Sequence, residues 1–129
     1  MKTFLLYGPK DIKLAEKPIP EPGYGQVIVK SAYTGICGSD VHYFKHGFCG
    51  SFIPKQPFAL GHEFSGVIYK IGSGVEGLKM GDEVAVDPSM PCSQCNFCRN
   101  GKYNLCKSMK YFGSASCDPH IDGGFGQFV

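Results

Sequence analysis

Short apolar runs separated by glycine and proline recur along this chain, and no long run has helical periodicity. In residues 63–71, Val67, Tyr69 and Ile71 alternate onto one face, which is the pattern of a half-buried strand. Further strands are predicted by the runs at residues 2–7, 12–16, 26–33 and 83–87, and residues 125–129 look like the start of another. Strands at this spacing predict a mainly β fold, either a barrel or a sandwich.

The segments between these runs have the residues of turns and extended chain. Residues 17–22, KPIPEP, are predicted to be extended because proline excludes helix. A single helix is predicted over residues 40–45, with Ser39 as its N-cap. Residues 46–58 contain two glycines and two prolines and predict a loop.

Composition narrows the class of protein. The 129 residues amount to one domain, and the net charge of +2 provides no strong field for nucleic acid or a membrane. The sequence has no apolar stretch long enough to span a bilayer and no visible secretory signal, so we expect a cytoplasmic protein in a reducing compartment. In that compartment a dense group of cysteines predicts a metal site rather than disulfides.

Four of the seven cysteines lie in one short stretch, CSQCNFCRNGKYNLC. Cys92, Cys95, Cys98 and Cys106 have the spacing of a tetrahedral zinc site with four thiolate ligands. An iron–sulfur cluster fits less well, because the bacterial motif has three residues and not seven before its last cysteine. Such a zinc site has no open position, so its predicted role is to stabilise a polar, glycine-rich loop.

A second set of possible metal ligands is dispersed along the chain. Cys37 and the pair His62 and Glu63 together offer one sulfur, one nitrogen and one oxygen donor. Each residue alone is more often a packing or surface residue than a ligand. Three protein ligands with a vacant fourth position are, however, the pattern of catalytic zinc.

Three neighbours of Cys37 strengthen this interpretation, and each also has an ordinary alternative. Asp40 is predicted to accept a hydrogen bond from the non-ligating nitrogen of His62, or simply to favour the helix dipole. Ser39 is predicted to contact an oxygen of the substrate, or only to cap the helix. His42 is predicted to pass a proton to solvent, or to be an ordinary surface histidine.

These motifs together resemble the N-terminal, GroES-like catalytic domain of the zinc-dependent medium-chain dehydrogenases. The matching segments, in family order, are GICGSD at 35–40, GHE at 61–63 with Gly66, GDEV at 81–84, and the four cysteines. CGSDVHY at 37–43 resembles the sorbitol dehydrogenase branch, and YFGSA at 111–115 with PHIDGGF at 119–125 resembles the L-idonate 5-dehydrogenase branch. The resemblance implies a partly open β-barrel with short helices and a zinc-binding lobe.

The resemblance also implies roles for individual residues. Cys37 and His62 would be ligands of a catalytic zinc, with Glu63 or a residue elsewhere as the third ligand. Ser39 would begin a proton relay that continues to His42, and Tyr43 and Phe112 would line the substrate pocket. Two zinc ions per chain, a small-molecule polyol or sugar acid as substrate, and a homodimer or homotetramer are implied for the intact enzyme.

The resemblance further implies a Rossmann domain that binds NAD or NADP. The letters G-x-G-x-x-G occur once, at Gly72, Gly74 and Gly77, but a strand and not a long helix follows them, so they predict a hairpin turn. We therefore expect residues 1–129 to be the catalytic domain of a longer chain, with the cofactor bound outside them.

Two other classes of protein compete with this interpretation. A nucleic-acid-binding zinc finger needs a basic stripe, and only Arg99, Lys102, Lys107 and Lys110 lie near the cysteines. A zinc-free reductase of the same fold would lack the pair Cys37 and His62. Within the polyol class, sorbitol, xylitol and sugar acids all remain possible substrates. Cys49 and Cys117 have no predicted role, and no cation is clearly placed for a substrate carboxylate.

Overall fold

The structure is a computed structural model that describes residues 1–129. It contains seven β-strands and two short helices, and a 3-10 turn covers Tyr103–Leu105. The strands are β1 (Lys2–Gly8), β2 (Asp11–Glu16), β3 (Val27–Thr34), β4 (Phe64–Ile71), β5 (Glu83–Val86), β6 (Ser89–Met90) and β7 (Lys110–Tyr111). The helices are α1 (Gly38–His46) and α2 (Asn96–Arg99).

The strands form three small antiparallel sheets. Their orders are β1-β2, β3-β4-β5 and β6-β7. The segment after residue 124 joins the first two sheets, because it bridges Thr3 of β1 through Gly126 and Lys30 of β3 through Phe128. This segment was predicted as a strand and instead makes isolated bridges. The result is a mainly β, incompletely closed barrel, as predicted.

The hairpin between β4 and β5 explains the glycine motif. Phe64 pairs with Val86 and Val67 pairs with Glu83, so the chain reverses direction through residues 72–82. The element that follows Gly77 is the strand β5 and not a helix, which confirms the predicted hairpin turn. No helix of the structure has the length and apolar character needed to cross a membrane.

The face of β4 that packs inward was not evident from its alternation. The buried residues are Phe64, Gly66 and Ile68, whereas Tyr69 is exposed. A Cβ atom at Gly66 would lie 2.1 Å from the carbonyl oxygen of Lys30. The glycine therefore permits the close approach of β4 to β3.

The helix α1 begins at Gly38, two residues earlier than predicted. Its N-cap is Cys37, with extended φ and ψ of −80° and 156°, so the prediction of Ser39 as N-cap is wrong. The backbone N–H of Cys37 donates to Asp40 Oδ2 at 2.9 Å, which stabilises this start. Ser39 lies within the first turn, where its hydroxyl is free for other contacts.

One compact apolar cluster supports the functional region. Its buried members are Leu6, Tyr43, Phe58, Leu60 and Ala115. Tyr43 is only 2% exposed, and its ring packs edge-on against Phe58 with centroids 5.9 Å apart. The cluster anchors α1 and the chain that leads into β4.

Candidate metal centres and the adjoining cavity

Cys37, His62 and Glu63 come together because two strand ends pair. Thr34 at the end of β3 pairs with Phe64 at the start of β4. The segments beside them then run together, and the N–H of Gly35 donates to the carbonyl of Glu63 at 2.7 Å. The ligand atoms of the three predicted residues lie within 4.8 Å of one another. The structure therefore brings this predicted set together.

Asp40 links the two chain segments that carry Cys37 and His62. Its side chain is 3% exposed, and Oδ1 accepts a hydrogen bond from the N–H of Gly61 at 3.2 Å. Since Oδ2 binds the N–H of Cys37, one buried carboxylate links the segments that carry both predicted ligands. A buried carboxylate with two backbone donors is well placed to fix their separation.

His62 has one nitrogen toward Asp40 and the other toward Ser39. Its Nδ1 is buried, has no hydrogen-bond partner, and lies 3.7 Å from Asp40 Oδ1. That distance is longer than a hydrogen bond but close enough for the predicted orienting contact to form after a small shift. Its Nε2 lies 3.5 Å from the hydroxyl oxygen of Ser39.

The residues present fit a zinc ion of the catalytic type. A thiol, an imidazole and a carboxylate are all donors that zinc accepts, and the set contains three protein ligands and not four. The unpartnered Nδ1 of His62 faces the buried carboxylate of Asp40. Metal-bound histidines are commonly arranged in this way, with one ring nitrogen on the metal and the other toward a carboxylate. Glu63 is exposed, so its oxygen is the most easily displaced of the three.

A cavity of about 520 Å³ adjoins this cluster. His62, Ser39 and Tyr43 contribute to its wall. The other lining residues are Cys49, Phe52, Cys106, Lys107, Met109, Tyr111, Gly113, Ser114 and Ser116. The polar groups of the cavity wall include three serine hydroxyls, one lysine, the imidazole of His62 and the hydroxyls of two tyrosines.

Two predicted site residues lie elsewhere. Phe112 does not line this cavity; its ring packs edge-on against Phe64 at 6.3 Å and borders a separate apolar groove. His42 also lies outside the cavity, and its Nδ1 is 2.7 Å from the carbonyl oxygen of Phe48.

Tyr43 lines the cavity and also has a structural contact, because its hydroxyl oxygen accepts a hydrogen bond from the N–H of Ala115 at 3.1 Å.

Tyr111 is a site residue that the sequence reasoning missed. Its ring lies 5.6 Å from that of His62, edge-on. Burial raises the pKa of the Tyr111 phenol, and the nearby acids Asp87, Cys37 and Glu63 raise it further. The phenol is therefore neutral at physiological pH and can donate a hydrogen bond. The motif YFGSA contained the signal, but only its second residue was assigned to the pocket.

The four clustered cysteines have the geometry of a closed metal site. All four sulfurs lie within 4.8 Å of one another, and Sγ of Cys98 is 3.5 Å from that of Cys95 and 4.0 Å from that of Cys92. A tetrahedron with Zn–S bonds of about 2.3 Å has sulfurs about 3.8 Å apart. All seven cysteines of the chain are free thiols, so the alternative of disulfides is not supported.

The thiols of this lobe differ in how readily they ionise. The backbone N–H of Cys98 is the main cause that lowers the pKa of Cys95 to about 6. Burial is the main cause that raises the pKa of Cys98 to about 12. One thiolate and one thiol therefore coexist beside each other at neutral pH, and a metal that binds all four sulfurs must displace protons.

The last cysteine of the lobe connects the two centres. Cys106 is buried, and with Lys107 and Met109 it forms part of the wall of the cavity beside His62. The chain then continues through Tyr111 to Ser114, which also line the cavity. The lobe is thus one side of the candidate active site and not a separate appendage.

Comparison with known proteins identifies the family to which the chain belongs. Residues 23–129 match the family model described as alcohol dehydrogenase GroES-like domain. The chain therefore belongs to the GroES-like domain family of alcohol dehydrogenases, as its motifs predicted.

Three similar proteins have names that refer to enzymes of sugars, polyols or sugar acids. The chain is 48% identical over 127 residues to a probable D-xylulose reductase A of Neosartorya fischeri, covering 98% of this chain and 34% of that protein. It is 38% identical over 129 residues to the sorbitol dehydrogenase of Bacillus subtilis, covering 100% of this chain and 35% of that protein. The crystal structure of L-idonate 5-dehydrogenase from Escherichia coli superposes with a TM-score of 0.89 at 38% identity, covering 99% of this chain and 36% of the other. The chain spans about a third of the length of these relatives.

Proposed function

We propose that residues 1–129 form the catalytic domain of a zinc-dependent, NAD(P)-linked dehydrogenase that oxidises a secondary hydroxyl of a polyol or sugar acid. The observation that carries the proposal is the set Cys37, His62 and Glu63, whose ligand atoms lie within 4.8 Å and whose histidine also lines a 520 Å³ cavity. Three donors beside a cavity leave a position for a substrate oxygen.

Two groups outside the polypeptide would supply chemistry that its side chains lack. A zinc ion held by Cys37, His62 and Glu63, or by a replacement for Glu63, would act as a Lewis acid that lowers the pKa of the substrate hydroxyl, and a nicotinamide nucleotide would be the hydride acceptor. The four-cysteine site would hold a second zinc with a structural role. We infer that the nicotinamide nucleotide binds outside these 129 residues.

The residues of this chain orient the substrate and move its proton. The Ser39 hydroxyl, 3.5 Å from His62 Nε2, is placed to accept the proton of the substrate hydroxyl. Asp40 fixes the spacing of Cys37 and His62, because its carboxylate accepts the backbone N–H groups of Cys37 and Gly61. Ser39 would then pass the proton toward solvent, with His42 as the proposed exit. Because His42 lies outside the cavity, this transfer requires a bridging group between the two side chains.

The cavity wall favours a polyhydroxylated substrate. Ser39, Ser114 and Ser116 offer hydroxyls that both donate and accept hydrogen bonds. Lys107 is the one cation among the lining residues, and it is the best placed partner for the carboxylate of a sugar acid. A sugar acid is therefore our first substrate class, and a neutral polyol such as sorbitol or xylitol is the second.

The remaining features follow the family resemblance. We propose a homodimer or homotetramer, a cytoplasmic location, a small-molecule substrate and no role in binding nucleic acid or membranes. Analytical ultracentrifugation of the natural polypeptide that carries this sequence tests the oligomeric state. A monomer under assay conditions would contradict that part.

The central test has a direct metal readout and an activity readout. Elemental analysis of the purified 129-residue chain should find two zinc ions, and Cys37→Ser should reduce the count by one. In the natural polypeptide that carries this sequence, oxidation of a panel of sugar acids and polyols with NAD⁺ or NADP⁺ should be lost in Cys37→Ser. Cys117→Ser, the same exchange outside both clusters and outside the cavity, is the matched control. Full activity of Cys37→Ser would overturn the proposal.

A further inference from the structure

The four histidines of the chain differ in which ring nitrogens are already occupied. His62 belongs to the catalytic cluster. His120 is satisfied at both nitrogens, since Nδ1 lies 2.7 Å from the carbonyl of Cys117 and Nε2 accepts the backbone N–H of Lys55 at 2.9 Å. Apart from His62, whose Nδ1 has no hydrogen-bond partner, His42 and His46 are the histidines with ring nitrogens that no hydrogen bond occupies.

His42 and His46 form a pair on one face of α1. Residues four apart in a helix are neighbours on its surface, and the centroids of these two rings are 4.6 Å apart with planes inclined at 48°. Phe48 lies beside both rings, at 5.3 Å from His42 and 6.2 Å from His46.

The tautomer of His42 is determined by its partner. A carbonyl oxygen only accepts, so the 2.7 Å contact with Phe48 requires that His42 Nδ1 carry the proton and donate it. The lone pair of the neutral ring is then on Nε2. Metal-ligating histidines are held in the same way, with the second ring nitrogen donating to a carbonyl or carboxylate.

We propose that His42 and His46 form a third metal site, which binds a borderline divalent cation such as Zn²⁺, Ni²⁺ or Cu²⁺. His42 Nε2 and one nitrogen of His46 would be the protein ligands, and water would complete the coordination. The pair lies in the last two turns of α1, where the carbonyl end of the helix dipole favours a cation, although Lys45 opposes it. With two protein ligands the site is weaker than the four-thiolate lobe.

The site can be tested on the chain itself without any measurement of turnover. Long-range proton–nitrogen NMR spectra separate the four imidazoles of the chain. After both cysteine-containing sites are loaded with zinc, further Zn²⁺ should shift the resonances of His42 and His46 along one common binding curve. Those of His120 should not move.

Two variants make the result decisive. His46→Gln removes one of two protein ligands, and we expect it to weaken the response of His42 by about tenfold or more. His120→Gln removes a histidine that cannot ligate and should leave the curve unchanged. The proposal is overturned if His42 and His46 do not shift, if they titrate with different affinities, or if His46→Gln leaves binding at His42 unaltered. None of these outcomes depends on whether the chain acts as a dehydrogenase.

Discussion

The two cysteine-containing centres of this chain are built in opposite ways. In the lobe, all ligands come from residues 92–106, and the N–H groups of Cys92 and Cys95 donate to sulfurs of the same lobe at 3.3 and 3.4 Å. The second centre, called here the open cluster, consists of Cys37, His62 and Glu63. Its residues are brought together by the pairing of β3 with β4. The lobe can therefore form from local contacts alone, whereas the open cluster requires the folded sheet.

The centres also differ in what lies behind their ligands. Behind the open cluster is Asp40, a buried carboxylate that binds the backbone of Cys37 and Gly61. In the lobe, backbone N–H groups donate to the sulfurs of Cys92 and Cys106. A charged group behind a metal ligand tunes its basicity and orientation. The contrast supports the proposed assignment of a reactive role to one centre and a structural role to the other.

The largest expected effect separates the two centres by activity. Cys37→Ser removes the sulfur donor of the open cluster, and we expect turnover in the natural polypeptide to fall by more than about 100-fold, beyond the loss typical when a hydrogen-bond partner of a metal ligand is changed. Thermal stability should change little. Steady-state kinetics and a melting curve provide the two readouts. A drop in melting temperature with turnover retained would reverse the assignment of the centres.

The second expected effect is on stability. Cys98→Ser breaks the closed site, and a loss of about 3 kcal/mol would lower the melting temperature of a chain of this size by about 10 °C. Cys117→Ser is the control, because Cys117 is outside both clusters. Melting curves of the zinc-loaded proteins, together with their zinc content, test this. Equal melting temperatures for both variants would show that the lobe carries no structural metal.

A smaller effect is expected on the zinc affinity of the open cluster when Asp40 is changed. Asp40→Asn removes the negative charge that faces His62, and we expect zinc affinity of that cluster to fall by about 10–100-fold while the lobe retains its metal. Asp122→Asn is the control, since Asp122 also accepts a backbone N–H, from Ala59 at 2.8 Å, but lies outside both clusters. Competition with a chromogenic chelator measures both affinities. Equal effects of the two changes would mean that Asp40 acts only through the backbone.

The smallest effect concerns the metal-free lobe and its pH dependence. The pKa of Cys95 is lowered from 9.0 to about 6 in the folded chain, so the folded state loses this proton before the unfolded state does. Its contribution to stability is then present above pH 9 and is lost as the pH falls through 6. Melting temperatures of the metal-free chain at intermediate pH values test this prediction. Cys95→Ser should flatten the profile over that interval, and an unchanged profile would contradict it.

Local patterns predicted much of this molecule. The spacing of the four cysteines predicted a site whose sulfurs do lie within 4.8 Å of one another. Short apolar runs bounded by glycine and proline predicted β1 to β5 to within one or two residues. These features depend on residues near one another in the chain, where steric rules and ligand spacing act directly.

Other features were not evident from residue preferences alone. Ser39 is a residue type common at N-caps, but the hydrogen bond from the N–H of Cys37 to Asp40, three residues further along, places the N-cap at Cys37. Val67 and Tyr69 alternate as an inward face would, but the buried face is that of Phe64 and Ile68. The first outcome was decided by a local side-chain contact, and the second by the packing of the sheet.

The sequence by itself determined the donor chemistry, namely which thiols, imidazoles and carboxylates are available and which of them are close along the chain. Only the tertiary structure decided that Asp40 links Cys37 to Gly61, that Tyr111 lies beside His62, and that the lobe forms a wall of the cavity. The physical reason is that strand pairing joins residues distant in sequence. Their register follows from the packing of whole sheet faces and not from any short motif.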